Sequence, residues 1–303
     1  MHMNLQRLIR SSFGVKAVSV IARILPVSIG HKLADRITTN LSHQKDSEMN
    51  LAIHSNQWVI RDCLISKEDL DRAVSRMLVN SGHFIFDQYH YLNNDKSLQR
   101  LILYDKATLQ LIKRAEFERK GLMIAGIHLG NFDLVLHTMC RNGLKPLILT
   151  LPVFKGSHRT EYEIRRKSGM NLVPTSIDSL RLAVEHLKQG GSVLTGIDRP
   201  IPDARTKPLF FGLPSNLPQH YAYIAKKANV PVVLMATLQQ PDGRLLVRTS
   251  DPIEMDSHPN KESETLLNSE KVLKTAESLI RQVPDQWSIS LPVWPEMVNL
   301  YPK

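Results

Sequence analysis

Residues 122–139 read LMIAGIHLGNFDLVLHTM. The first six form an apolar run of strand length; after the Gly-Asn pair at 130–131, Leu134, Val135, Leu136 and Met139 recur at helical spacing. The stretch therefore predicts a strand, a loop and a helix in that order. His128 falls in the loop and Asp133 in the first helical turn, with Asn131 as a fair N-cap.

The same alternation continues toward the C-terminus. Short apolar runs at PLILTLP, SVLTGI and VPVVLMATL alternate with helical patterns around residues 134–141, 162–167, 179–189 and 219–229. Alternating strands and helices predict an α/β fold whose mixed central sheet is partly parallel and flanked by helices. LLVRTSDPIE, after the Pro-Asp-Gly turn at 241–243, reads as a strand antiparallel to the one before it. A last helix is expected from Lys261 to Gln282, ending at Pro284. Active sites of such sheets lie beyond the carboxyl ends of strands, where His128 falls.

Toward the N-terminus the texture is helical. Leu5, Leu8, Ile9, Val15, Val18, Ile21, Ile24 and Leu25 recur at helical spacing among Arg7, Arg10, Lys16 and Arg23. This basic amphipathic segment fits either a helix packed on its own domain or an interfacial anchor on anionic lipid. Ser66-x-x-Asp69 signals the start of a second helix, running to Tyr91. We therefore divide the chain into a helical, membrane-associating region over 1–115 and an α/β core over 116–303, with one catalytic domain overall.

Composition narrows the partners. At 303 residues, 42% hydrophobic, the chain has enough apolar material for a substantial core. Its 39 Lys+Arg against 29 Asp+Glu give a net charge of +10, which favours an anionic partner. Aromatics are only 6% and nowhere interleave with bases, which disfavours nucleic acid. Cys63 and Cys140 form no zinc or redox spacing, in keeping with a reducing compartment. The run 13–30 is broken by Lys16, Arg23 and Pro26, so neither a signal peptide nor a membrane span is expected there.

Chemistry concentrates on His128. A carboxylate beneath the ring would fix its tautomer and favour the imidazolium, as a base removing a hydroxyl proton requires. His-x4-Asp alone is weak, because a loop histidine bonded to its own helix cap gives the same spacing. A metal reading adds His137, at i+4 from Asp133, but His137 sits within the apolar pattern and lacks a fourth ligand nearby, so no metal is expected. No Gly-x-Ser-x-Gly elbow or evident cysteine nucleophile supports a hydrolase.

The longer segment IHLGNFDLVLHTM resembles the HLGNWE/D block of the bacterial lipid A late acyltransferases and the phosphatidylinositol mannoside acyltransferases, within the wider His-x4-Asp/Glu acyltransferases. EIRRKSGMNLVP at 163–174, SLRLAVEHLKQGGSVLTGIDRP at 179–200, KPLFFG at 207–212 and the Pro284-Asp285-Gln286-Trp287 motif are similar to further family segments, in family order. The resemblance runs from about residue 25 to 290. It implies a glycerolipid-acyltransferase-like fold and one-step transfer from an acyl thioester, on acyl carrier protein or coenzyme A, to a hydroxyl of a membrane amphiphile. No cofactor is implied. His128 would be the base and Asp133 its orienting partner, at the cytoplasmic face of the inner membrane.

Basic residues near the site suit anionic substrates. Lys155, His158, Arg159, Arg165, Arg166 and Lys167 cluster after the second strand; Arg165 and Arg166 are the preferred phosphate ligands, and any single member can equally be a solvated helix face. With Asn131 and Arg159 they make up the expected substrate-binding set, to which the loop residues Asp198 and Arg199 add either the acceptor site or merely a mutual pair. Phe210 and Phe211 are candidates for an acyl pocket or, alternatively, loop anchors in the core. Asp133 in place of the more usual Glu, the WSISLPVWPE continuation and the charge-broken N-terminus depart from the lipid A enzymes and leave the acceptor open among phosphoglycolipids, lysophospholipids and specialised lipids. A catalytically silent lipid-binding protein of the same fold is the competing reading.

Overall fold

The computed structural model describes residues 11–92, 95–118, 120–152, 157–202 and 204–302. The expected positions Leu5, Arg7, Leu8, Ile9, Arg10 and Lys155 lie outside the described residues.

Four helices come first: α1 (Ser12–Ile24), α2 (Val27–Ser42), α3 (Glu48–Val59) and α4 (Lys67–Tyr91). Side-chain oxygens of Ser11, Ser47 and Ser66 cap α1, α3 and α4, accepting from the third residue on. The amphipathic pattern ends in one helix and a second begins at once, because Pro26 cannot continue α1 and instead supplies the fixed φ of −57° that starts α2. Helices α2 and α4 pack intimately: Gly30 lies against the Phe86 ring, where a Cβ would come within 2.0 Å of the ring edge.

The α/β part follows as α5 (Asp95–Leu101), β1 (Ile102–Tyr104), α6 (Lys106–Phe117), β2 (Leu122–Gly126), α7 (Phe132–Arg141), β3 (Leu147–Thr150), α8 (Ser157–Lys167), β4 (Asn171–Pro174), α9 (Ile177–Lys188), β5 (Ser192–Gly196), a small hairpin of β6 (Leu209–Phe210) and β7 (Leu213–Pro214), α10 (His220–Ala228), β8 (Val232–Gln239), β9 (Leu245–Thr249) and α11 (Lys261–Gln282). Seven strands form one sheet in the order β1-β9-β8-β2-β5-β3-β4. All neighbours run parallel except β8 and β9, the antiparallel pair expected from the Pro-Asp-Gly turn. The α/β class with a helical N-terminal region is therefore observed.

One boundary differs from expectation. The region expected to be helical to residue 115 contributes β1, which pairs with β9 at the sheet edge. Three residues carry too little periodicity to be read as a strand. Pairing with a strand some 140 positions later makes it one.

The core fills between the sheet and its helices. Val193, Ala125 and Leu234 on the central strands are buried with Ile224 on α10 and Val272 and Ile280 on α11. The C-terminal Trp287 and Trp294 close this cluster, both essentially inaccessible. Gly121, Gly126 and Gly196 border or lie on the central strands. Gly121 has no room for a Cβ, which would meet the Leu187 carbonyl oxygen at 2.1 Å.

Candidate active site

Strands β2 and β5 are adjacent, parallel and in register, with Gly126 opposite Gly196. Each continues into the same short pattern, Gly-Ile-His at 126–128 and Gly-Ile-Asp at 196–198, and the Ile197 N–H extends the ladder by donating to the Gly126 carbonyl at 3.0 Å. Two residues past the paired glycines, His128 and Asp198 therefore stand side by side at the carboxyl edge of the sheet. The His128 Nδ1–H donates to Asp198 Oδ1 at 2.6 Å, and the His128 backbone N–H donates to Oδ2 at 2.7 Å.

Asp198 is fully buried, and its carboxylate is satisfied by a third donor, the Trp287 indole N–H at 2.8 Å from Oδ2. With Asp198 ionised, Nδ1 carries the ring hydrogen and Nε2 presents its lone pair. The ring is held edge-to-face against Phe132, with centroids 4.6 Å apart, and the Cβ that Gly196 lacks would stand 3.4 Å from its Cε1. The side chain retains 22% exposure.

That exposure faces a cavity of about 730 Å³. One wall carries His128, Phe132, Asp133, His158, Arg165 and Arg199. The rest is mainly apolar and comes largely from the N-terminal helices, Val15, Val18 and Ile21 of α1, a row from Gly30 to Leu41 on α2, Met49 and Ile53 of α3, and α4, with Glu161 of α8 and the segment 288–291 completing it. The row on α2 corresponds to roughly 16 Å of helix rise. A polar head beside an imidazole and an apolar body of this length suit an amphiphile with an acyl chain.

Asp133 does not fold back to His128, contrary to expectation. It points along α7 toward α8, where Arg165 grips it with a two-pronged pair, Nε to Oδ1 at 3.0 Å and Nη2 to Oδ2. Burial raises its carboxyl affinity for protons, but the neighbouring guanidinium more than offsets this and holds it below the usual carboxylate range. The local reason is Gly130, whose φ of +59° turns the chain sharply before Asn131 caps α7. A side chain at Gly130 would meet the Thr237 carbonyl oxygen at 2.4 Å.

The other expected residues divide. Asn131 caps α7 and donates to the Phe84 carbonyl at 3.1 Å, tying the loop to α4. Arg165 and Arg199 line the cavity, and an Arg199 Nη lies 3.4 Å from His158 Nε2. Two Arg165 donors are engaged by Asp133, so its fork is not the open phosphate clamp expected. Arg159 and Arg166 are exposed and do not line the cavity; Arg159 pairs with Glu163 at 3.2 Å. Phe210 and Phe211 do not line it either. They pack in the core against Trp294, the Phe211 ring beneath the Arg281 guanidinium, because the β6–β7 turn is fixed by α11 through the bond from the Phe211 N–H to Glu277.

His137 is fully buried, neither ring nitrogen finds a hydrogen-bond partner, and burial lowers its pKa to about 4. Among the described residues no group of three or more His, Cys, Asp or Glu side chains is arranged to hold a metal ion.

The profile of the bacterial lipid A biosynthesis acyltransferases matches residues 4–295. The chain belongs to this family. No curated protein matches it. Membership implies an acyltransferase activity of lipid A biosynthesis, with an acyl donor and a lipid acceptor. For this family member no described helix is long and apolar enough to cross a membrane. Asp198 is the residue that sequence reasoning placed at the site without its pairing to His128. The signal was present in the repeated Gly-Ile-His and Gly-Ile-Asp strand ends, which predict adjacent positions if the two strands are parallel neighbours.

Proposed function

We propose that the protein transfers a fatty acyl group from a thioester, on acyl carrier protein or coenzyme A, to a hydroxyl of a membrane lipid or glycolipid, with His128 as general base and Asp198 as its orienting carboxylate. The observation that carries the reading is the His128–Asp198 pair opening onto a deep apolar cavity. The acceptor hydroxyl attacks the thioester carbonyl as Nε2 takes its proton; the tetrahedral intermediate collapses, the C–S bond breaks, and the imidazolium returns the proton to the departing thiolate. Asp133 acts at one remove, fixing Arg165 in the cavity lining. Arg165 and Arg199 offer guanidinium donors to an anionic headgroup or phosphopantetheine, beside the carboxylates of Asp133 and Glu161.

Membrane access follows from the same geometry. Phe13, Val20, Ile24 and Ile29 are exposed on α1 and α2 beside the exposed Lys16, Arg23 and Lys32, and no Asp or Glu occurs between residues 11 and 34. Ile21 and Leu33 belong both to this face and to the cavity lining. An apolar face rimmed by cations favours peripheral contact with an anionic leaflet, on the cytoplasmic side in this reading. The silent-protein reading gives no reason for a buried carboxylate to hold an imidazole at a cavity wall.

The test is mass-spectrometric. Purified protein and its His128→Ala variant are incubated with acyl-coenzyme A and acyl carrier protein donors and a total membrane-lipid extract. A lipid gaining one acyl mass only with the unaltered protein is the expected result; equal products from the variant would sink the mechanism.

A further inference from the structure

The segment 284–288 lies outside the cavity wall except for Ser288, yet it is tied to α4, to the end of β8 and to the loop that carries His128. Asp285 forms ion pairs with Arg61 beyond α3 and Arg76 of α4, and its carbonyl accepts from Asn80 at 3.0 Å. Gln286 makes a reciprocal amide pair with the Gln239 backbone at the end of β8, at 2.8 and 3.0 Å, and its carbonyl accepts from Gly130 at 3.0 Å. The Ser288 N–H donates to the His128 carbonyl at 2.9 Å. Between them, Trp287 donates to Asp198.

We infer that Trp287 is a positioning residue of the reaction: its indole N–H holds Asp198 Oδ2 so that Oδ1 stays on His128 Nδ1. The inference rests on His128 being the base. A carboxylate on a short side chain turns about its terminal torsion, which has a broad energy well. The His128 backbone N–H restrains Oδ2 from one side only. The indole is a second restraint, made rigid because its ring is inaccessible and wedged against Phe210 and Trp294. Because Trp287 is not among the residues lining the cavity, its loss should act on turnover and not on substrate binding.

The chain offers an unusually clean test. It has three tryptophans, and among the described residues the indole nitrogens of Trp58 and Trp294 have no hydrogen-bond partner. Replacing all three by benzothienylalanine, which puts sulfur where the N–H was at nearly unchanged shape, therefore deletes one indole hydrogen bond. The expected result is a kcat about tenfold lower, the kinetic equivalent of one charge-assisted hydrogen bond, with KM unchanged. The low-field Nδ1–H resonance of His128, assigned by its absence in His128→Gln, should also shift or broaden.

If the resonance and kcat both stay put, or only the melting temperature falls, Trp287 is a packing residue and the inference is overturned. A changed resonance in a protein that transfers no acyl group with any donor would uphold the positioning role while removing the acyltransfer reading. Trp287→Phe, read by the same resonance, provides the second variant should the analogue-labelled protein fail to fold.

Discussion

His128 is held by Asp198, 70 residues away in sequence, at 2.6 Å, whereas Asp133, five residues away, is engaged by Arg165. Two carboxylates thus serve two different side chains, an imidazole and a guanidinium, and substitutions should separate their roles. Asp198→Asn keeps the shape but cannot stabilise the imidazolium or enforce its tautomer. Its kcat should fall by roughly 10³–10⁴-fold with little change in KM, as for the orienting aspartate of a serine protease, measured by steady-state kinetics with the donor that the mass-spectrometric assay selects.

Asp133→Asn should damage stability more than the chemical step. It leaves Arg165 largely buried without its partner, at 26% side-chain exposure, and costs about 2–3 kcal/mol by denaturant titration, at the low end for a buried pair because some solvent reaches it. The lowered carboxyl affinity of Asp133 gives the sign with pH. The pair's contribution is complete above about pH 4, the ordinary carboxylate value, and is lost as pH falls through the lower folded value. Asp133→Asn should therefore unfold with less acid dependence than the unaltered protein.

Opposite pH behaviour is expected where α2 meets α4. His31 and His83 stack with centroids 4.0 Å apart, paired to Asp87 and Asp35 respectively. The hydrogen bond to Asp87 raises the His31 pKa, against a smaller opposing effect of burial. Stability from this pair is therefore full below about pH 6.5 and declines as pH rises through the higher folded value. Melting temperatures across pH 6 to 9 should fall less steeply for His31→Gln.

His137 should be dispensable for folding. A histidine buried without a partner costs desolvation that a leucine does not, so His137→Leu is expected to stabilise by about 1 kcal/mol or be neutral. Its pKa, lowered by burial to about 4, means that stability is complete above about pH 6.5 and lost as pH falls toward 4; the variant should lose part of that slope. A large destabilisation in chemical denaturation would show that the ring has a partner after all.

The apolar face of α1 and α2 should govern vesicle binding. Phe13→Glu with Ile24→Glu removes two exposed apolar side chains, at 72% and 75% exposure, and adds negative charge where the chain has none. Sedimentation with anionic vesicles should drop by an order of magnitude or more, and activity on detergent-dispersed lipid should survive. Unchanged sedimentation would remove this face from the membrane. Filling the cavity by Thr38→Phe should instead leave vesicle binding intact and shift preference toward shorter acyl chains.

Most elements were legible because their signals are local. The Ser66 cap fixed α4 at Lys67–Tyr91, the alternation of apolar runs and helical patterns announced the parallel sheet, and Pro284 ended α11 at Gln282. What local pattern could not supply was β1, three residues long, and β4, whose Asn171-Leu-Val-Pro174 is half-exposed at the other sheet edge. Both are strands because a neighbour completes their hydrogen bonds.

The amino-acid order by itself determined the His128 loop and its place at the carboxyl end of a strand, since glycine, cap and periodicity act within a few residues. Only tertiary structure decided the partner of His128. Parallel pairing of β2 with β5 brings Gly-Ile-His beside Gly-Ile-Asp, and the geometry of α7 aims Asp133 at Arg165 instead. The cavity was likewise invisible in sequence: Gly30 and Leu41 of α2, Ile53 of α3 and Phe86 of α4 line it without any local motif that sets them apart. They enclose space because the packed helices leave their apolar faces apart, a property of how surfaces meet and not of any one surface.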